Sequence, residues 1–392
     1  MTASIVVPSL FSLTLLLDGS GALLRVGQPA PVSDQELVVV IGQLSDFDYP
    51  TRNAASSLIR RAPIAQAQRA LAAAVRGHDD GYVRFRALVL LVGFGGLPAR
   101  EAVVDVLDDP NDRLRAVAYG YLEHEPDPAM SGFLVAALDT ETSEFVRPAL
   151  IRALAAHDDD VEVRDRLLVD IDRGVDFFRG AVIEALGDHG AAYAVEPLIR
   201  IASSEGPLQD DAVLALARIG DDSALGAVAA LQGEDRDLEP MVSAAAVALG
   251  AEPSGHLQFV SDSLRFAAAA GNELALVRSA AAGLGTLAST GNVGAVRVLF
   301  DVAIQAEPAA RDAIALVLGT VAMRNPTIVL EHLQTRADLS ASALVLRDSF
   351  DILDEDLEEE RFFMAARSAF WVASEGSDAR AVTDELIKAL EF

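Results

Sequence analysis

Five arginines, Arg52, Arg84, Arg115, Arg147 and Arg179, stand 32, 31, 32 and 32 residues apart. A guanidinium at one fixed place in every repeat has two uses. It ties its own unit to a turn carboxylate or to carbonyls of the neighbouring unit, or it joins a stripe that holds an anionic ligand. The stripe breaks at the sixth unit, where the slot falls on Asp210 or Asp211, so these five are assigned as repeat-linking residues. The other concentrated chemistry is acidic. Asp348, Asp351, Asp354, Glu355, Asp356, Glu358, Glu359 and Glu360 place eight carboxylates within 13 positions. Such a run repels itself, and serves either as a solvated loop and helix start or as a docking patch for a basic partner segment. Phe362, Phe363, Phe370 and Trp371 follow it at a spacing that suits core, or partner anchoring if one face is exposed. The candidate docking set is Asp354, Glu355, Asp356, Glu358, Glu359, Glu360, Phe362 and Trp371.

Catalytic and metal constellations are thin. His78-Asp79-Asp80 and His157-Asp158-Asp159-Asp160 recur near helix ends, where Asp caps the next helix and His interacts with the preceding dipole. No metal ligand is assigned to them. The chain has no cysteine, which removes disulfides, thiolate nucleophiles and thiolate metal sites. Gly93-Phe-Gly-Gly96 and Gly283-Leu-Gly285 lack the lysine of a phosphate loop, and read as helix ends and close-contact positions. No catalytic residue and no cofactor site follow from spacing. The formal net charge of −28, with Lys388 the single lysine, argues against nucleic acid and anionic membrane surfaces as partners. Adaptation to salt accounts for that acidity as readily as a docking function does.

The elements that position these groups are helices. Ile59, Leu91, Leu122, Leu154 and Leu186 lie seven residues after each arginine, and Leu44, Val75, Leu107, Leu138, Ile171 and Ile201 run about eight or nine before the slot. Parallel ladders at this period signal a solenoid of helical pairs. Hydrophobic content of 51% with only 6% aromatic residues suits thin layers filled by alanine and leucine. Ser33 or Asp34 caps the first helix, whose partner begins after residues 46–50. Further pairs fall at 65–76 with 82–92, 99–107 with 112–122, and near 128–157, 160–190, 192–220 and 222–250. Beyond the glycine-containing stretch 250–255 the spacing loosens, with Arg278 and Arg311 recovering the slot. Residues 354–373 and 377–390 form a last pair, whose second helix caps the stack. The expected division is residues 1–31 as an extension, 32–252 as regular repeats and 253–392 as divergent repeats, with a hinge at 250–255. The apolar start of the chain reads as a β-hairpin turning at Asp18-Gly19-Ser20-Gly21, or as a signal-like segment without its basic start. The missing basic start favours a cytoplasmic over a secreted or periplasmic location.

An acidic inter-helix turn, an apolar residue followed by arginine, then small residues and a leucine resemble HEAT repeats, in particular the short bacterial kind called PBS-lyase HEAT-like. Val83-Arg84, Leu114-Arg115, Val146-Arg147 and Phe178-Arg179 carry the resemblance, with Asp46 and Asp109 six residues ahead of Arg52 and Arg115. It implies an all-α, right-handed α-solenoid of about ten to eleven armadillo-type hairpins. Relatives with two-iron sites use several His-Glu pairs, against the lone His124-Glu125 here. The resemblance is specific for fold rather than for function; with no catalytic constellation on that fold, the expected role is a non-enzymatic scaffold or adaptor binding protein partners along a concave surface, and the acidic run points to a basic segment among them. Two alternatives stay open: a lyase-like or pigment- and protein-modifying accessory subunit, and a structural subunit of a larger assembly.

Overall fold

A computed structural model describes residues 32–392. The hairpin expected at the start of the chain lies outside the described residues. Among those described there are 22 α-helices and no strand, which fall in chain order into eleven successive pairs. The regular front half comprises α1 (Asp34–Gly42) with α2 (Tyr49–Arg61), α3 (Ile64–Gly77) with α4 (Gly81–Phe94), and α5 (Gly96–Asp105) with α6 (Asp112–His124). It continues with α7 (Ser131–Thr140) and α8 (Arg147–Ala155), α9 (Val161–Asp170) and α10 (Asp176–Asp188), α11 (Val195–Ala202) and α12 (Gln209–Ile219), and α13 (Leu225–Ala230) and α14 (Glu239–Ala248). The back half has longer helices: α15 (Pro253–Ala270) with α16 (Leu274–Ser289), α17 (Val293–Ala303) with α18 (Pro308–Arg324), α19 (Pro326–Leu333) with α20 (Leu339–Leu353), and α21 (Asp356–Val372) with α22 (Asp378–Leu390).

Local chemistry explains where these helices start. Ser33 accepts the backbone N–H of Glu36, Asp48 that of Thr51, Asp80 those of Tyr82 and Val83, and Asn111 that of Arg113. Each side chain satisfies donors that the first helical turn leaves free. Second helices stack on second helices, as in the successive contacts of α6, α8, α10, α12, α14, α16, α18 and α20. Small residues let them approach closely: a Cβ on Gly283 would sit 2.8 Å from that of Ala244, and one on Gly285 would overlap Val317. The apolar ladders form the core. Ile59, Leu91, Leu154, Leu186, Val75 and Ile171 are fully buried, Leu44, Leu107, Leu122 and Leu138 nearly so, and Ile201 is partly exposed.

Two departures from the sequence reading stand out. The buried apolar residues form two clusters rather than one spine, meeting at α14, where Ala244 belongs to the second cluster and Ala245 to the first. The last pair is also more than an end cap. Helix α21 packs against α4, across the whole length of the stack, and Leu357 joins the front-half cluster. The superhelix thus closes on itself.

Candidate docking site on the second-helix face

Within the arginine ladder, Arg84, Arg115 and Arg147 reach the next unit, while Arg52 and Arg179 bond within their own. Arg52 donates to the carbonyl of Asp46 at 2.7 Å, and Arg115 to that of Asp109 at 2.7 Å. The acidic residue six positions ahead therefore supplies its backbone oxygen, not its carboxylate. Its carboxylate is used elsewhere: Asp46 and Asp109 each accept the N–H two residues on, at 2.9 Å, which shapes the turn. The Asp109 carboxylate also receives Arg84 of the preceding unit, whose Nε donates to Val75 O at 2.7 Å. Arg115 in turn forks onto Glu141 of the following unit, both contacts at 2.9 Å. Arg147 lies over the Phe178 ring of the next unit at 4.2 Å, and Arg179 donates to Ile171 O at 3.0 Å. Arg311 recovers the pattern in the back half through Asp348 at 2.7 Å.

Part of the acidic run is engaged by the chain itself, whereas Asp351, Asp354 and Glu355 stay exposed. Glu360 is 2% exposed and accepts from Arg60 of α2 at 2.6 and 3.0 Å. Arg60 also lies over the Phe363 ring, and its carbonyl accepts from Arg367 at 2.7 Å. Asp356 pairs with Arg86 of α4, and Glu358 meets His124 of α6 at 2.6 Å. Burial, with Arg60 close by, pulls the Arg86 guanidinium below its usual value. Burial pushes the Glu355 carboxyl up, with Glu358, Glu184 and Asp354 adding and Arg152 of α8 opposing. Glu359 is pushed to about 7 by burial and by Asp354, Asp351 and Glu355, against Arg86. Asp354 ends α20 in the left-handed region at φ 51°. Phe362 is buried with Phe350 and Phe363 in the back-half core, whereas Trp371 is 57% exposed and packs edge-on to Phe370. Of the eight candidate docking residues, Asp356, Glu358 and Glu360 are committed to this chain's own cations.

Two glycines admit α21. A Cβ on Gly93 of α4 would lie 2.5 Å from Glu360 Cγ, and one on Gly120 of α6 2.6 Å from Leu357 Cδ2. Glycine inside a helix costs about 1 kcal/mol relative to alanine, and here the close approach of another helix explains it. Further along, Arg324 of α18 reaches Glu184 of α10 at 2.8 Å and Asp188 at 2.5 Å. Arg60, Arg86, His124, Arg152 and the two notches were missed from sequence because they share no register. The one available signal was a glycine within the second helix of each unit, Gly93 near the end of α4 and Gly120 inside α6.

Glu123, His124 and Glu358 could offer three ligand atoms within 4.8 Å of one another. Glu123 is already engaged by Arg152 at 3.1 Å. Burial works to raise its carboxyl, but His189, Arg152 and His124 bring it below the usual range. That arrangement is a network of side-chain contacts within the chain. The other histidine motifs serve structure: His78 Nδ1 accepts the Asp80 N–H at 3.0 Å, and His157 is 7% exposed with its proton affinity lowered by burial.

Two surface clefts lie on the middle units. One of about 670 Å³ is lined by Arg179 and Arg200, whose guanidinium groups already meet Asp176 at 3.0 Å and Asp172 at 3.3 Å. The other, of about 520 Å³, is lined by Phe177, Gly180, Glu184, Leu208, Asp211 and Arg218 between α8, α10 and α12. Phe177 is 65% exposed there. Burial, Glu184 and Asp210 raise the Asp211 carboxyl against Arg218, and burial with Asp235 raises that of Asp210. No single described helix is long and apolar enough to cross a membrane.

The family description "HEAT repeats" matches residues 68–155, which span α4, α5, α6, α7 and α8 with most of α3. Residues 68–155 carry HEAT repeats. No curated protein matches this chain by sequence. Among solved structures, the HEAT-repeat chain is similar to Escherichia coli YibA, at 15% identity and TM-score 0.39, over 56% of this chain and 82% of that one. It is also similar to a chain of the CpcE–CpcF complex of phycocyanin lyase from Nostoc sp. PCC7120, at 20% identity and TM-score 0.35, over 59% and 100%. A chain from a structure of the cadherin and beta-catenin interaction matches 92% of this chain with 95% of its own, at 12% identity and TM-score 0.30.

Proposed function

We propose that this HEAT-repeat chain is a non-enzymatic scaffold that takes a basic protein segment in the cleft between α8, α10 and α12. The observation that carries this reading is Asp211, which lines the cleft, with Asp210 beside it in sequence; the two stand where earlier units hold arginine. Among the described residues neither forms an ion pair, and both have raised carboxyl values from burial and neighbouring acids. An arriving Lys or Arg supplies the missing charge, and exposed Phe177 supplies an apolar anchor beside it. The other clefted region has its cations paired internally, which leaves less for an anionic ligand to gain. A fluorescent amphipathic helical peptide bearing Arg and Leu tests the reading by anisotropy at moderate salt. The wild-type chain binds it, and Asp210→Asn with Asp211→Asn weakens binding by more than the salt-screened loss seen for a distant pair such as Asp262→Asn with Glu331→Gln. Equal binding by all three chains would discard the cleft as the docking site.

A further inference from the structure

We propose that the face formed by α2, α4, α6 and α8 is a docking groove for an acidic amphipathic helix of a partner protein, and that α21 is a built-in occupant which the partner displaces. This inference does not rest on the basic-segment cleft. The groove is defined by chemistry on consecutive second helices. Arg60, Arg86, His124 and Arg152 present cations or a donor in succession, and Gly93 and Gly120 open notches that a helix can enter. Helix α21 shows what fits: a carboxylate at 356, a leucine at 357, carboxylates at 358 and 360, and an aromatic ring at 363 over Arg60.

The way α21 is held suits exchange. Its link to the front half is almost wholly ionic, with Leu357 the single residue of α21 in the front-half core. Its other apolar face, Phe362, Phe363 and Ala366, belongs to the back-half cluster. Opening therefore moves the back half away as a unit, leaving its own core intact and exposing little apolar surface on either side. Buried cations stripped of partners make an empty groove costly. A helix with the same pattern re-forms each pair, so replacement avoids that cost, and the equilibrium follows the difference in fit between the two occupants. Contacts of Arg324 with Glu184 and Asp188, and of Asn53 with Glu391 at 3.3 Å, complete the closed state.

The test uses the full-length chain and, as probe, a fluorescein-labelled helical peptide of residues 354–373. In a chain with Leu357→Ala and Glu360→Gln, α21 is weakened while the groove is untouched. The probe then binds about tenfold or more tightly than to wild type, the factor expected when the competent state is otherwise populated at roughly a tenth or less. Adding Arg86→Glu to the opened chain abolishes binding. Because the sequence has no cysteine, Asn53→Cys with Glu391→Cys in the opened chain, joined through a short disulfide-containing crosslinker, leaves both notches free and gives a reversible control in one folded protein: crosslinked it refuses the probe, reduced it accepts it. No binding to the opened or reduced chain, equal binding in the locked and unlocked forms, or indifference to Arg86→Glu would overturn the proposal. Dimerisation of the opened chain through exchanged α21 helices that excludes the probe would make a second copy the occupant, and would overturn it as well.

Discussion

Removing the Glu360 charge alone strands Arg60, 6% exposed, beneath α21. Loss of one member of a buried ion pair costs about 3–5 kcal/mol, because the remaining charge keeps its desolvation penalty without its partner. Glu360→Gln is therefore expected to lower the denaturation midpoint substantially, and combining it with Arg60→Met to recover much of the loss, as read by urea unfolding. Glu359 behaves in the opposite sense. Its folded value of about 7 lies above the ordinary carboxylate range, so the folded chain holds a proton that the unfolded chain has released. Stability from this group is present at acid pH and is lost as pH rises through the window from the ordinary value to about 7. Glu359→Gln should then raise the unfolding midpoint at pH 8, with the gain fading as pH falls toward 5. Arg86 faces Glu359 from α4 while Asp351, Asp354 and Glu355 crowd it from its own side, so a gain that is independent of pH would refute this account.

At the scale of the element, helix starts and inter-unit links rest on separate groups. Asp80 caps α4 through two backbone donors, and Asp80→Ala should cost about 1 kcal/mol of stability. Arg115 has a wider reach, joining the carbonyl of Asp109 in its own unit to Glu141 in the next. Arg115→Met should loosen the contact between the third and fourth units, read as faster amide exchange in the turns at 106–111 and 141–146 without change in the far units. Exchange that accelerated uniformly along the chain would argue against a link confined to neighbours, the behaviour expected of a quasi-one-dimensional stack.

For the whole molecule, closure replaces the open crescent that a repeat sequence leads one to expect. The two apolar clusters meet at α14, directly before Gly250 at φ 101° and the start of α15. A bend there would let the back half swing while α21 leaves its groove. Small-angle scattering should report a larger radius of gyration for the Leu357→Ala, Glu360→Gln chain than for wild type. A single unchanged curvature for both would remove the hinge at 250–255.

Periodicity was enough to establish the helical pairs, the buried ladders and the slot of Arg52, Arg84, Arg115, Arg147 and Arg179, because each follows from contacts within a unit or between neighbouring units and so repeats with the sequence. The acidic run was visible as unusual and Gly93 as a helix-end or close-contact residue, but their partners were not, and Gly120 was not singled out. Asp356 meets Arg86 across 270 positions, and Glu360 meets Arg60 across 300. A pairing of that span depends on the accumulated twist and curvature of every intervening unit, a quantity that no local pattern encodes. Small rotations at each helix pair add up, and only their sum in three dimensions brings the last hairpin back to the first.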